Sequence, residues 1–369
     1  ILMQHNMSPE TIVPGFKYDV TVDDQLDRYQ LDKLKEKNYT MAGNGSCYTR
    51  EKKGLFPEIV QKFFDDRLKY KKLMQKAQAD FQETGALHHK NEISKYNNFQ
   101  MARKIQLNSL YGALANQYFR FYDDRIAEGI TMSGQLIIRD TAKALDAYMN
   151  KVCGTDDKVY SFYSDTDSCY VTCKNMVDNF FPDKDTDKIT ELLDKIGTDK
   201  IEPAIDQAMV KLANYTNAFE KKIFFKREVI ADKGVFVAKK RYALNVLDDE
   251  GLRLKDPKLK VMGLEIVRSS TPGPVRDSLK EAVRLVLTSE EEELHDYIEK
   301  TKAEFKDMAP EDIAFPRGCN NLQKYYSSSD IYTKGTPIHV RGSLLYNNLI
   351  KENNLFVKYE QIQEGDKIK

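Results

Sequence analysis

Two long helical stretches, separated by a short polar loop, constrain the fold of this chain more than any other feature. The first is predicted from Pro57 to about Gln82, because its apolar residues keep roughly helical spacing and proline suits a first helical turn. The second is predicted from about Ile93 through Ala113. Two helices joined only by residues 83–92 should lie antiparallel. The sequence therefore predicts a projecting α-helical hairpin.

Helical and strand-like segments alternate along the rest of the chain, without an internal repeat. Residues 1–55 are irregular and polar, because prolines and an Asn44-Gly45 turn signal break any long element. A chain of 369 residues is long for one compact core, which favours two or three subdomains sharing a cleft. The remaining predicted elements are a helix at about Asp124–Lys151, a β-hairpin at 158–172 with its turn at Ser164–Asp167, a helix near Ile201–Asn214, strands at 223–231, 234–248 and 259–268, a mainly helical stretch from Pro272 to Lys306, a loop-rich segment at 339–350 and a final strand at Val357–Lys369.

Charge and cysteine usage narrow the class of protein. The 57 Lys and Arg residues balance the 57 Asp and Glu residues, so any nucleic-acid binding has to come from local patches. No apolar run is long enough to span a membrane and no signal peptide opens the chain, which predicts no membrane partner. The five cysteines form no CxxC pair. They are interpreted as reduced thiols of a cytoplasmic protein, without a zinc site.

An acidic hairpin tip is the first candidate for chemistry. Asp165 and Asp167 are two residues apart, and residues i and i+2 of a strand face the same way, so a tight turn can direct both carboxylates toward one point. Two close carboxylates are costly unless a divalent cation shares them, and Mg²⁺ prefers hard oxygen ligands together with phosphate. The plainer alternative is an ordinary turn, in which Asp is common. Aromatic and apolar strands on both sides favour the metal site, because they hold the acids rigidly.

Basic residues on the two predicted helices are the second candidate. Lys104, Asn108 and Tyr111 recur at i, i+4 and i+7 of the second helix and form one polar stripe. Arg67 and Lys71 make a basic pair four residues apart on the first helix. Facing stripes on antiparallel helices can clamp a triphosphate, because Arg and Lys make strong charge-assisted contacts. For Arg67 and Lys71, a solvated helix face stays open as the alternative.

A basic segment within an apolar run is the third candidate. Residues 219–260 contain 12 basic and 7 acidic residues, a local net charge of +5 (12 − 7) in a neutral protein. If the run is one continuous strand, Lys239 and Arg241 face one side, and Lys240 and Tyr242 face the other. Cations on both faces suit a polyanion, where Lys and Arg displace counterions without base preference. An edge strand protected by lysines is the alternative.

Taken in order, these motifs resemble those of family B DNA polymerases, and most closely the replicative polymerases of T-even-type tailed phages. KIQLNSLYG at 104–112 resembles the family's KxxxNSxYG motif, and YSDTDS at 163–168 resembles its YGDTDS motif, with Ser164 where Gly is usual. KKRY at 239–242 is similar to the family's KKRY element. Weaker similarities are SPET at 8–11 to the run after the first palm motif, GLE at 263–265 with SSTP at 269–272 to the segment leading into the thumb, and HVRG at 339–342 to a thumb element.

The resemblance implies an α+β fold with palm, fingers and thumb. The palm would contain an antiparallel sheet, the fingers a helical hairpin, and the thumb mainly helices. The implied boundaries are a palm-associated segment at 1–55, the fingers at 56–105, the palm at 106–271 and a truncated thumb at 272–369.

The resemblance also implies roles for individual residues in DNA synthesis. Asp165 and Asp167 would bind two Mg²⁺ ions, with Asp167 as the bridge, and Lys104 would take part in catalysis. Glu228 matches an acidic palm residue with an indirect role at the metals. The incoming dNTP would contact Arg67, Lys71, Lys104, Asn108 and Tyr111, and primer–template DNA would contact Gly112, Thr166, Lys239, Lys240, Arg241 and Tyr242.

One motif of the family is missing. The sequence contains no DxxSLYPS, the first palm motif, which carries the other metal-binding aspartate and the tyrosine that excludes ribonucleotides. The chain is therefore interpreted as the C-terminal polymerase portion of such an enzyme, inactive alone and acting in the host cytoplasm if phage-encoded. Its expected partners are primer–template DNA, dNTP and an upstream polypeptide with the missing aspartate and the 3′–5′ exonuclease domain; the resemblance also admits a sliding clamp.

Several alternatives stay open. The gene is either naturally split, or the chain is an excerpt of an intact polymerase. The main functional alternative is a non-catalytic subunit, descended from a polymerase, that binds primer–template DNA. The presence of Asp165 and Asp167 argues against a loss of catalytic residues. A reverse transcriptase is a third option, but that group usually carries adjacent aspartates.

Overall fold

The computed structural model describes residues 1–31 and 34–369 and divides into two compact units, Ile1–Arg227 and Glu228–Lys369. Helices and strands are mixed along the chain, and each strand pair in the described part runs antiparallel. This confirms a mixed α and β fold with antiparallel sheets. The palm, fingers and thumb, with their four predicted boundaries, stay predictions. A division into two compact units does not show which part is palm, fingers or thumb.

The first unit is built mainly from helices. In chain order its elements are β1 (Ile12–Lys17), α1 (Val22–Leu26), β2 (Tyr39–Met41), β3 (Ser46–Thr49), α2 (Leu55–Thr84), α3 (Leu87–Leu114), α4 (Asp124–Cys153), β4 (Ser161–Asp165), β5 (Ser168–Val171), α5 (Lys174–Phe180), α6 (Thr186–Ile196), a π-helical turn (Gly197–Ile201) and α7 (Glu202–Tyr215). The predicted helix near Ile201–Asn214 is confirmed as α7.

The opening segment of this unit is more ordered than the sequence predicted. Residues 1–55 carry a small sheet in the order β1-β3-β2, and polar residues such as Asn6 are fully buried. The Asn6 side-chain amide donates hydrogen bonds of 2.8 Å to the carbonyl oxygens of Thr49 and Lys52. Because buried polar residues such as Asn6 bond to backbone, the segment lacks the apolar periodicity that identifies a core element.

Helices α2 and α3 form the predicted antiparallel hairpin, and both are longer than predicted. The connection is reduced to residues 85–86, because Gly85 ends α2 in the left-handed conformation with φ 65°. Between the helices, the Tyr70 and Phe99 rings pack with centroids 5.1 Å apart. The guanidinium of Arg103 lies over the Phe63 ring at 5.1 Å.

Helix α4 is the central helix of the first unit. It spans Asp124–Cys153, close to its predicted range. Its buried residues Leu136, Ile137 and Leu145 pack with α1 and α7 in one apolar cluster. Cys169 and Val171 of β5 pack against the same cluster. The β4–β5 hairpin is thus held against α4.

The second unit combines a three-stranded sheet with helices. In chain order its elements are β6 (Val229–Ala238), β7 (Arg241–Asp249), β8 (Leu252–Met262), a 3-10 turn (Glu265–Val267), α8 (Gly273–Thr288), α9 (Glu291–Asp307), α10 (Pro310–Ile313), β9 (Arg317–Gly318), α11 (Leu322–Tyr325), β10 (Tyr326–Ser327), β11 (Ile331–Tyr332), α12 (Ile338–Glu352) and β12 (Lys367–Ile368). The mainly helical stretch predicted after Pro272 is confirmed by α8 and α9.

Four strand and loop predictions in this region are wrong in whole or in part. Residues 234–248 are not one strand but the end of β6, a turn and most of β7, and the strand predicted at 223–231 begins only at Val229. Residues 339–350 lie within helix α12 instead of a loop. Val340, Leu344 and Ile350 are buried at helical spacing. The polar residues and the glycine between them hide this spacing in the sequence. The predicted final strand is limited to Lys367–Ile368.

The five cysteines are free thiols, as predicted. Burial raises the pKa of the Cys47 thiol to about 12 and that of Cys173 to about 11. In residues 1–31 and 34–369, no helix combines the length and the apolar character that crossing a membrane requires.

Candidate active site

Asp165 and Asp167 lie at the tip of the β4–β5 hairpin, but on different parts of it. The register pairs Asp165 with Ser168, so Asp165 is the last residue of β4, and Thr166 and Asp167 form the turn. The turn therefore starts one residue later than the predicted Ser164, because Ser164 is still paired, with Cys169, in the ladder of β4 and β5. Asp165 is half-buried and Asp167 is exposed.

A tight backbone turn brings the two acids together, as the sequence predicted. Thr166 takes a positive φ of 56°, and the N–H of Asp167 donates to the carbonyl oxygen of Asp165 at 2.6 Å. The Thr166 hydroxyl donates to Asp165 Oδ1 at 3.1 Å, and the Ser168 hydroxyl donates to the Asp165 carbonyl oxygen at 3.2 Å. These hydrogen bonds hold Asp165 and Asp167 close together in one turn.

Asp165 lies on the face of the hairpin that is turned away from α4. On the near face, Cys169 Sγ is 3.9 Å from the carbonyl oxygen of Ile138 in α4, and burial raises the pKa of this thiol. Tyr163 pairs with Tyr170 on the other face, where their rings pack edge to face at 5.5 Å. Because side chains alternate along a strand, Asp165 shares the face of Tyr163. Its carboxylate is therefore not buried between the hairpin and α4.

The donor chemistry of the tip fits Mg²⁺, which prefers hard carboxylate oxygens. The two acids can supply part of a coordination shell, and phosphate and water can supply the rest. In the part of the chain that the structure describes, no group of three or more His, Cys, Asp or Glu residues is arranged to hold a metal ion. The binding of Mg²⁺ at this tip therefore stays a prediction.

Lys104, Asn108 and Tyr111 lie exposed along α3, with the spacing that the sequence predicted. The stripe ends at Gly112, where an added Cβ would meet no atom within 4 Å, so the space beside its backbone is open. Beside the stripe, Ile105 is 59% exposed. The stripe therefore combines a cation, an amide, a phenol and an apolar neighbour.

Arg67 and Lys71 lie half-buried on α2. Arg103 Nε is 3.2 Å from Asp66 Oδ2, which sets the register between the two helices. Measured along the helix axes, Arg67 therefore lies within one helical turn of Lys104. Lys71 lies one turn farther along α2. Arg67 Nε is buried without a hydrogen-bond partner. A fully solvated face is therefore a poor description of Arg67.

Lys239 and Lys240 close the β6–β7 hairpin in the second unit. Ala238 pairs with Arg241, so the two lysines are the turn between the strands, and both are exposed. Lys240 takes a positive φ of 62°. The predicted alternation of cations on the two faces of one strand is therefore wrong. The cations are gathered at a hairpin tip instead.

The segment after β8 supports this basic tip. A Cβ added at Gly263, where φ is +65°, would lie 1.9 Å from the carbonyl oxygen of Lys240, so only glycine fits there. Arg241 donates to Glu265 Oε2 at 2.6 Å, and the Thr271 hydroxyl donates to the Glu265 carbonyl oxygen at 2.7 Å. The backbone N–H of Glu265 and the Arg241 guanidinium hold the pKa of the Glu265 carboxyl below its usual range.

Tyr242 and Glu228 complete the predicted residues of the second unit. Tyr242 is 3% exposed and stacks on Phe236 with ring centroids 5.3 Å apart. A DNA contact through this ring stays a prediction that its burial does not support. Glu228 lies just before β6, with its carboxylate 3.8 Å from Lys260 Nζ. Its indirect role at metals also stays a prediction.

Comparison with known proteins identifies the family. Residues 1–180 match the sequence profile of DNA polymerase family B. The chain is 34% identical over 422 residues to the DNA-directed DNA polymerase of Escherichia phage RB69, an alignment that covers 100% of this chain and 46% of that protein. The chain belongs to DNA polymerase family B. The DNA-directed DNA polymerase of Enterobacteria phage T4 is 32% identical to this family B chain over 403 residues, covering 95% of the chain and 44% of the phage protein.

A more distant relative is DNA polymerase 1 of Pyrococcus abyssi, which is 25% identical over 270 residues, 73% of this chain and 26% of that protein. The family B chain spans about half the length of the two phage relatives. The family predicted from the motifs is thus confirmed. The roles of the individual site residues stay predictions.

Sequence reasoning missed two residues that hold the hairpins, one at the base of β4–β5 and one beside the tip of β6–β7. Asp146 in α4 accepts hydrogen bonds at the base of β4, and no motif or spacing identifies it. Glu265 was noticed only as part of a similarity, not as the partner of Arg241. No local pattern identifies Glu265 as this partner, because it is the pairing of Tyr242 with Met262 in the fold that brings the residues after β8 beside the start of β7.

Proposed function

We propose that this chain carries out DNA-templated DNA synthesis, transferring a nucleotidyl group from a dNTP to a primer 3′-hydroxyl. One observation carries the proposal: a tight turn presents Asp165 and Asp167 together at a hairpin tip, in a chain similar over its whole length to DNA-directed DNA polymerases of phages. A tip of this kind has the oxygen ligands that Mg²⁺ and phosphate require.

The reaction joins the primer 3′-oxygen to the α-phosphorus of the dNTP, and the bond between the α-phosphorus and the bridging oxygen to the β-phosphate breaks. Pyrophosphate leaves, and the hydroxyl proton is lost to solvent or a base. Asp165 and Asp167 would hold Mg²⁺ near the reacting phosphate. When bound, the metal would neutralise charge that develops during the transfer. Glu228 acts on the metal site indirectly.

The α2–α3 hairpin binds the triphosphate of the incoming nucleotide. Lys104 and Arg67 supply charge-assisted contacts from neighbouring levels of the two helices, and Lys71 extends the basic surface by one turn. Lys104 also offsets negative charge that develops on the triphosphate during transfer. Asn108 orients the triphosphate through its amide. The exposure of Lys104 and the buried, unpartnered Nε of Arg67 support these roles.

Primer–template DNA is bound at several places. Tyr111 and the open backbone of Gly112 pack against the nascent base pair, and Thr166 contacts the primer terminus beside the acids. Lys239 and Lys240 contact the backbone along the minor groove without reading sequence. Arg241 and Tyr242 hold this basic tip in place, which their contacts with Glu265 and Phe236 support.

A further carboxylate is needed for a complete two-metal site, because the described residues contain no cluster of three metal-binding side chains. We propose that a polypeptide segment carrying DxxSLYPS supplies it, either from the same protein or from a separate subunit. The same polypeptide supplies a 3′–5′ exonuclease domain, and a sliding clamp is a further partner. The chain alone is expected to bind DNA and to synthesise none.

Primer extension tests this proposal. The chain is assayed with Mg²⁺, dNTPs and a labelled primer–template, with and without a polypeptide carrying DxxSLYPS. We expect synthesis only in the complemented reaction, and loss of that synthesis in the Asp167→Asn variant. A complementing polypeptide whose DxxSLYPS aspartate is changed to asparagine is the matched control, and it should not restore synthesis.

The alternative function, a non-catalytic subunit that binds primer–template DNA, predicts a different result. DNA binding would persist in every mixture, no complementing polypeptide would restore synthesis, and Asp167→Asn would change nothing. This alternative is favoured by one observation: among the described residues, no group of three or more His, Cys, Asp or Glu is arranged to hold a metal ion.

A further inference from the structure

The β4–β5 hairpin needs support from outside its own strands. It is a two-stranded sheet, and its register shifts between Ser161 and Tyr163, so its ladder is short and irregular. Isolated two-stranded hairpins are only marginally stable in water. The position of the acidic tip therefore depends on what the hairpin is attached to.

Asp146 of α4 forms hydrogen bonds to the base of this hairpin. Its Oδ1 accepts the backbone N–H of Tyr160 at 2.9 Å and that of Ser161 at 2.7 Å, while Oδ2 accepts the Ser161 hydroxyl at 2.9 Å. Three donors on one half-buried carboxylate make a strong anchor, because charged acceptors form shorter and stronger hydrogen bonds. This carboxylate thus fixes where β4 begins.

Asn150, one helical turn after Asp146, forms further hydrogen bonds to the segment that precedes β4. Its Oδ1 accepts the N–H of Lys158 at 3.1 Å, and its Nδ2 donates to the carbonyl oxygen of Lys158 at 2.8 Å. The Thr155 hydroxyl also donates to Asn150 Oδ1, at 2.7 Å. Two side chains spaced i and i+4 on α4 therefore face the same stretch of backbone and hold it at both ends.

The anchor lies on the same strand as the first acid of the tip. Ser161 and Asp165 are the first and last residues of β4, four residues apart, which is a distance of roughly 13 Å along a strand. A slip of one residue at Ser161 would move Asp165 to the opposite face of the hairpin. Asp146 therefore acts on the tip without touching it.

We propose that Asp146 is a positioning residue for the metal site of this chain. By fixing the start and register of β4, it places the Asp165 carboxylate where it can share a divalent cation with Asp167. This inference rests on the proposed function, because it assumes that the acidic tip binds the cation. Asp146 itself takes no part in the reaction and does not ligate the metal.

The test measures cation binding directly, with Mn²⁺ as a probe that electron paramagnetic resonance detects. The chain is mixed with the DxxSLYPS-carrying polypeptide, primer–template and dNTP, and Mn²⁺ is titrated. In Asp146→Ala we expect the Mn²⁺ dissociation constant to rise about 10-fold, the lower end of the effect of losing an outer partner of a metal site. DNA affinity should not change.

Two milder variants grade the effect. Asp146→Asn keeps an oxygen for the two backbone donors but loses the charge and the acceptor for the Ser161 hydroxyl. Ser161→Ala removes that one hydrogen bond. Both should give dissociation constants between those of the wild type and Asp146→Ala. Hydrogen exchange of the Tyr160 and Ser161 amides should quicken in the same order.

Asp178→Ala is the matched control, because Asp178 is an exposed acid on α5 whose carboxylate pairs only locally with Lys174 at 2.8 Å. Wild-type Mn²⁺ affinity in Asp146→Ala would overturn the proposal. If Asp146→Ala does not fold, wild-type affinity in both Asp146→Asn and Ser161→Ala overturns it.

The two proposals fail differently. If Asp167→Asn leaves Mn²⁺ binding and synthesis intact, the proposed function itself is wrong. If Asp167→Asn abolishes both while the Asp146 and Ser161 variants behave like Asp178→Ala, only the positioning role is wrong.

Discussion

The β4–β5 and β6–β7 hairpins are built alike but carry opposite charge. Each is closed by a two-residue turn in which one residue takes a positive φ: Thr166, at 56°, in the first and Lys240, at 62°, in the second. Neither turn contains the Asn-Gly pair that two-residue hairpins favour. Because the turn residues do not themselves favour these conformations, the surroundings of each hairpin must hold them.

The surroundings act at opposite ends of the two hairpins. The acidic hairpin is anchored at its base, through Asp146, which leaves Asp167 exposed at the tip. The basic hairpin is fixed at its tip, where Gly263 contacts the backbone of Lys240. We therefore expect changes at the acidic tip to alter the rate of synthesis, and changes at the basic tip to alter DNA affinity.

The largest effect should come from Asp165→Asn. The amide keeps the size of the side chain but removes a charged oxygen ligand, so we expect the rate constant of primer extension in the complemented reaction to fall by roughly 10²–10³-fold. The dissociation constant for DNA, measured by fluorescence anisotropy, should stay unchanged. Asp178→Asn on α5 is the control and should keep the wild-type rate. Loss of DNA affinity without loss of rate at saturating DNA would break the comparison.

The next effect should come from Gly263→Ala. A Cβ at a positive φ of +65° and 1.9 Å from the Lys240 carbonyl oxygen forces the backbone to move. We expect the free energy of unfolding to fall by about 1–3 kcal/mol, as for other strained backbone positions, together with weaker DNA binding. Urea unfolding and anisotropy measure the two quantities. Gly273→Ala, where an added Cβ meets nothing within 4 Å, should be close to neutral.

A smaller effect is expected from removing both lysines of the basic tip. If Lys239 and Lys240 each neutralise one phosphate, Lys239→Ala combined with Lys240→Ala should make the slope of log Kobs against log salt shallower by about 1.8. The rate at saturating DNA should not change. Lys302→Ala, on a side chain that pairs with Glu299 at 2.6 Å in α9, is the control. An unchanged salt slope in the double variant would show that the tip does not touch the DNA backbone.

The smallest effect should come from Ser164→Gly in β4. Ser164 Oγ lies 3.6 Å from Cys169 Sγ across the hairpin, and glycine removes this contact and adds freedom to the unfolded chain. We expect a loss of about 0.5–1 kcal/mol in the free energy of unfolding, without a measurable change in rate. A large loss of rate would show that the acidic tip is held by its own strands and not by α4.

The sequence predicted one of the two hairpins and missed the other, for a physical reason. In 158–172 the polar turn residues interrupt two apolar strands, and this pattern indicates a hairpin. In 234–248 the lysines that form the turn lie inside an otherwise apolar run without an Asn-Gly pair, and such a run predicts one continuous strand. Helix α12 was missed because its polar and glycine residues hid the buried spacing of Val340, Leu344 and Ile350.

The candidate site was predicted in part. The sequence placed Asp165 and Asp167 at a tip, and Lys104, Asn108 and Tyr111 on one helix face, because those arrangements depend on neighbours within a few residues. It did not predict that Tyr242 is buried or that Glu265 pairs with Arg241. Burial and ion pairing between residues far apart in sequence depend on strand pairing, which local patterns do not specify.

The sequence by itself determined the family, the helical hairpin α2–α3, and the residue types available for binding a cation and a polyanion. The tertiary structure alone decided that α4 grips β4 through Asp146 and that Gly263 supports the turn at Lys240. The physical reason is the distance along the sequence between the residues that interact. Helical periodicity and motif spacing arise from neighbours along the chain, whereas a carboxylate that holds another segment's backbone becomes identifiable only when folding brings the two together.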